Sequence, residues 1–153
     1  MKKIITIVLL SLFGATVQAQ DTTKAAILQP IQQLFEGMAN KDTLLMKSVF
    51  HTDASLSTTY TDKAGKAQYK AEKIDNFITS IGKIPAEQQL EERILDYQVK
   101  VDDNLAVVWT PYEFYLNGNF SHCGVNAFTL FKAETGWVIT AITDTRRRTA
   151  CGK

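Results

Sequence analysis

The chain has 153 residues, of which 45% are hydrophobic and 22% charged, and its 17 Lys and Arg nearly balance 16 Asp and Glu. That length buries a core without metals or several disulfides and leaves no room for a second domain. Balanced charge argues against nucleic acid as a partner, because phosphate binding needs clustered cations.

Lys2 and Lys3 precede an apolar run from Ile4 to Phe13, and small residues follow up to Val17-Gln18-Ala19. This is the pattern of a secretory signal peptide over residues 1–19. A membrane span needs about 18 or more apolar residues, and this run is shorter. The expected mature chain begins near Gln20, has net charge −1 and no membrane span, and resides in the periplasm or the extracellular medium. Export leaves two states open for Cys123 and Cys151: a disulfide tying the tail to the sheet, contributing about 3 kcal/mol in the chain-entropy view, or two free thiols.

From Thr22 to Asn40, Ile27, Ile31, Leu34, Phe35 and Met38 recur at helical spacing, with Pro30 marking a late start or a kink. Asp42-Thr43 caps a short second helix running to Phe50. Ala54 to Tyr60 reads as a strand, Asp62 to Gly65 as a turn, and Ala71 to Ile81 as a third helix stopped by Gly82. Beyond Pro85 the sequence predicts strands over Leu90–Val101, Leu105–Leu116, Phe120–Lys132 and Trp137–Arg146. Their separators, Asp102-Asp103-Asn104, Asn117-Gly118 and Glu134-Thr135-Gly136, have hairpin chemistry. Helices first and an antiparallel meander after them define an α+β fold, with N-terminal helices packed on a strongly curved antiparallel sheet.

A two-residue turn at Asn117-Gly118 sets opposite each other residues whose numbers sum to 235. Glu113 then faces His122, Trp109 faces Asn126 and Tyr115 faces Phe120, all on one side. The other side carries Val108, Thr110, Tyr112 and Phe114 beside Cys123 and Val125. Both sides are apolar enough to need covering. Polar groups converging among aromatics place the first side inward, as a ligand wall of Trp109, Glu113, Tyr115, His122 and Asn126. The second side is then the expected homodimer face. Arg146-Arg147-Arg148 reads as a solvated strand end. His51, Asp53 and His122 lack metal-ligand spacing, and no cofactor is expected.

The helices, the strand after "FHTDASLSTTY" and the closing "GVNAFTLFKAETGWVITAITDTRR" resemble the nuclear transport factor 2-like superfamily, the cone fold shared by ketosteroid isomerase, SnoaL-like proteins and scytalone dehydratase. "WTPYEFYLNGNFSHCGVNAF" and "DTRR" are most similar to its exported "putative lumazine-binding" branch. The resemblance implies a pocket between helices and sheet. Where ketosteroid isomerases carry a base and a protonated aspartate, this chain has Thr58 and Asn126, which removes that chemistry. Three readings follow: a small-molecule binder; a lyase or isomerase in which Glu113 raises and orients His122 as an acid–base dyad; and a dimeric interaction module with a vestigial cavity. The binder is preferred, and no reaction is assigned.

Overall fold

A computed structural model describes residues 13–149 and 151, with backbone alone for 13–21. The expected leader, residues 1–19, lies outside the described residues except for the backbone of 13–19. The elements in chain order are α1 (Phe13–Asn40), α2 (Thr43–Ser48), β1 (Phe50–Thr61), β2 (Ala67–Lys73), α3 (Ile74–Gly82), β3 (Leu90–Ile94), β4 (Gln98–Asp102), β5 (Leu105–Leu116), β6 (Asn119–Ala133) and β7 (Gly136–Arg146). The fold is α+β, with the helices on one face of a mostly antiparallel sheet.

Each helix buries the stripe its spacing dictates. Ile27, Ile31, Leu34 and Met38 of α1, and Ile74, Ile78 and Ile81 of α3, pack on Val108, Phe128, Leu130, Ile139 and Ile142 of the sheet. Each such side chain contributes roughly 1.5–3 kcal/mol when fully buried. Pro30 does not end α1, which runs through it. Asp42 caps α2, its Oδ1 accepting from the backbone N–H of Leu44 (3.1 Å) and Leu45 (2.9 Å).

The sheet order is β2-β1-β7-β6-β5-β3, with β4 pairing the other half of β5. Several expectations are corrected. The sheet is mixed, because β1 runs parallel to β7 and the long helical segment before it lets the chain enter in either sense. Residues 67–73 form a hairpin partner for β1, so α3 starts at Ile74 and not at Ala71. The expected strand Leu90–Val101 divides into β3 and β4.

The decisive correction is register. Asn117 (φ 52°) and Gly118 (φ 74°) make the tight turn, and Tyr115 pairs Phe120 as the turn requires. The ladder then slips by one at Ser121, so that Phe114 pairs His122, Glu113 pairs Cys123 and Thr110 pairs Asn126. A β-bulge places two residues of one strand against one of the other, and beyond it every side chain changes face relative to its partner strand. His122 and Asn126 therefore share the concave side with Tyr112 and Phe114, while Trp109, Glu113 and Tyr115 lie on the convex side. The expected dimer face, Val108, Tyr112 and Phe114, is the inner one: Val108 and Tyr112 are buried, and Phe114 packs against the core.

Candidate functional site

The concave side holds a cavity of about 260 Å³ between α1, α3 and the sheet, walled by Phe35, Phe77, Phe114 and Phe128 and by the polar groups of Glu92, His122, Asn126, Asp144 and Arg146. Glu92 enters it because β3 alternates: Leu90, Glu92 and Ile94 point inward, and Glu91 and Arg93 outward. Asn126 and Asp144 are directly opposed on β6 and β7. Of the wall expected from sequence, the structure brings His122 and Asn126 together and leaves Trp109, Glu113 and Tyr115 outside.

The polar groups form two sets. In the first, Asn126 Nδ2 donates to Glu92 Oε1 at 2.7 Å. Burial, opposed by that hydrogen bond and reinforced by the nearby Asp144 charge, pushes the Glu92 carboxyl up to about 7. Glu92 Oε2 and Asn126 Oδ1 take no hydrogen bond from the described residues, and both atoms keep some exposed surface. In the second set, Asp144 is anchored on all sides. Thr58 Oγ1 donates to its Oδ1, and Arg146 Nε (2.7 Å) and Tyr112 Oη (3.4 Å) donate to its Oδ2. The single Tyr112 hydroxyl proton is shared with the nearer Thr145 carbonyl, at 3.0 Å. Burial, then the charges of Asp144 and Glu92, keeps the Tyr112 phenol protonated.

His122 stacks on Phe114, with ring centroids 5.0 Å apart, and meets Tyr112 edge-on at 5.8 Å. Its Nδ1 lies 3.1 Å from Ser121 Oγ. Partial burial, with the guanidiniums of Arg146 and Arg148 and against Asp144, lowers its pKa, so the ring is neutral at pH 7. Among the described residues no carboxylate is hydrogen-bonded to it. On the convex side, Glu113 instead accepts from Tyr115 Oη at 2.8 Å, and Arg93 lies 3.9 Å over the Tyr115 ring. The expected His122–Glu113 dyad is thus replaced by two separate contacts on opposite faces.

Gly124 makes the crowding around Tyr112 possible. A Cβ there would lie 1.8 Å from the Thr145 carbonyl oxygen and 2.9 Å from Tyr112 Cε1. Cys123 and Cys151 are joined by a disulfide, and the backbones of Cys123 and Arg147 exchange two hydrogen bonds of 2.9 Å beside it. Among the described residues no three His, Cys, Asp or Glu side chains gather as metal ligands.

The sequence model of the family described as "putative lumazine-binding" matches residues 22–143, which spans most of the chain. The chain belongs to this family. Its fold agrees with solved structures of low identity. A nuclear transport factor 2-like superfamily protein of Salmonella enterica is 20% identical, with 87% of this chain and 96% of that one covered and a TM-score of 0.63. An NTF2-like protein of unknown function from Shewanella baltica is 15% identical, with 86% and 97% covered and a TM-score of 0.61. A Nostoc punctiforme domain of unknown function with a cystatin-like fold is 16% identical, with 84% and 80% covered and a TM-score of 0.61. No curated protein matches.

Within the family fold, sequence reasoning missed Glu92 and Tyr112 as cavity residues. An inward acid between Leu90 and Ile94 was the available signal for Glu92, and none existed for Tyr112 without the bulge. Thr58 serves as a donor to Asp144 on the neighbouring strand.

Proposed function

We propose that the protein is exported and binds a small, flat, partly apolar molecule inside the cone, with Glu92, His122 and Asn126 as its polar contacts. One observation carries this reading: a donor–acceptor pair, Asn126 and Glu92, lies in a cavity whose wall includes Phe35, Phe77, Phe114 and Phe128. A cavity of about 260 Å³ lies near the lower end of ligand pockets, which run roughly 300–1,000 Å³, and so suits one or two fused rings. The family's description, a lumazine binder, names a ligand of that shape. The disulfide agrees with an oxidising compartment, and no described helix is long and apolar enough to cross a membrane.

The test is titration of the secreted protein with lumazine and with 2-naphthamide, a flat probe carrying one amide. Binding of either is expected, and Asn126→Ala weakens it about tenfold by leaving Glu92 without its donor. Glu113→Gln, on the outer rim, leaves it unchanged. Equal losses in the two variants, or no binding by either probe, would refute the cavity reading.

A second reading, a lyase or isomerase, is favoured by the position of Glu92, whose carboxyl exchanges its proton near neutrality. Glu113 has no part in it. Asp144, already accepting from three donors, is an anchor for Tyr112 and Arg146 and not a base.

A further inference from the structure

Beside the cavity lies a wide cleft of about 810 Å³ lined by Tyr60, Asp62, Lys63, His122 and Arg146 to Arg148. His122 and Arg146 line both spaces, so the cleft and the cavity adjoin at these two side chains. Its charge is predominantly positive, with Lys63 and the three arginines against the single carboxylate of Asp62. Asp62 is committed to its own turn, accepting from the backbone N–H of Ala64 (2.9 Å) and Lys66 (3.0 Å) and from Gln68 Nε2 (2.7 Å). Asp144 occupies only the Nε edge of Arg146, whose side chain remains 49% exposed.

The arginines are also held in place. The paired backbones of Arg147 and Cys123, with the disulfide to Cys151 a few residues on, fasten the segment after β7 along β6. Arg148 is thereby kept beside His122, whose ring feels its charge. The run is the exposed strand end its sequence suggested, and its backbone is held along β6 so that it forms a cationic rim.

We propose that this rim is an oxyanion site, formed by Lys63, Arg146 and Arg148, and that the ligand is an amphipathic acid whose flat body enters the cone while its carboxylate or phosphate stays in the cleft. The inference rests on the cavity reading above. A guanidinium that already has one carboxylate on its Nε edge still presents its terminal nitrogens to a second oxyanion. In the cavity lining Arg146 already faces Asp144 beside Glu72 and Glu92, so the anion stays at the outer edge, where water and the other cations meet.

The experiment compares 2-naphthoate and 2-naphthyl phosphate with the uncharged 2-naphthamide on the oxidised, full-length secreted protein. At low salt, at least one anion binds about tenfold tighter than the amide, and the advantage shrinks at high salt because the rim is exposed. In the Lys63→Ala/Arg148→Ala double variant the ratio of anion to amide affinity falls toward one. Reducing the disulfide lowers it as well. Amide binding with no anion preference, or a preference untouched by the double variant, overturns the rim and leaves the cavity standing. Failure of all three probes overturns both.

Discussion

Glu92 is an acid inside an aromatic cavity, and its environment makes a prediction with a definite sign. Its carboxyl is raised from 4.5 to about 7 by burial. Below pH 4.5 folded and unfolded chains both hold the proton, and the group costs nothing. Between 4.5 and 7 the unfolded chain releases it while the folded one retains it, so stability falls as pH rises through this window. The full loss is on the order of 3 kcal/mol, complete above pH 7. Glu92→Gln keeps an acceptor for Asn126 and removes the ionisation. Urea denaturation at pH 4 and pH 8 checks this: the variant matches the native protein at pH 4 and exceeds it at pH 8. The difference between the two proteins cancels the carboxylates whose shifts run the other way, Asp62 and Glu91. A variant advantage that is equal at the two pH values would exclude a buried, protonatable Glu92.

At the scale of elements, what was legible in the sequence was what is local. The stripe of α3, the Asp42 cap and the Asn117-Gly118 turn each depend on a few neighbouring residues, and each forms as expected. Register is not local. The turn governs only the two pairs next to it, and one extra residue at Ser121 exchanges the faces of His122 and Asn126 relative to Trp109 and Glu113. The parallel contact of β1 with β7 joins residues more than 80 positions apart, and nothing in either strand announces its direction. Gly124 is where this long-range arrangement becomes a requirement on one residue. Any side chain there must displace the Thr145 backbone or the Tyr112 ring, so Gly124→Ala is expected to lower stability by about 1–3 kcal/mol, or more if β6 and β7 part. Thermal unfolding measures the loss. Tyr112→Ala in the same background should restore little, since the closer obstacle is backbone; a full rescue would put the strain on the ring instead.

Among the described residues, the helices leave the convex side of the sheet uncovered. On the convex side of β5 and β6, Leu105 (49% exposed), Val107 (40%), Trp109 (45%) and Phe131 (40%) lie in one patch, with Leu105 opposite Phe131 and Trp109 opposite Ala127. Large apolar side chains grouped this way mark an interaction surface more often than a solvated one. A second copy of the chain is its simplest occupant, since a two-fold axis lets one patch cover itself. The face differs from the one the sequence suggested, because the bulge turned Val108 and Tyr112 inward and left the odd-numbered residues of β5 outside. Sedimentation equilibrium of the native protein is expected to give a dimer at micromolar concentration. Trp109→Glu sets two carboxylates against apolar surface near the axis and removes an aromatic anchor, which typically costs about 2 kcal/mol or more and shifts the variant toward monomer. The cavity lies on the opposite face of the sheet, so the monomeric variant keeps its affinity for 2-naphthamide. A native protein that sediments as a monomer at tens of micromolar, or a Trp109→Glu dimer as tight as the native one, would assign that surface to some other covering.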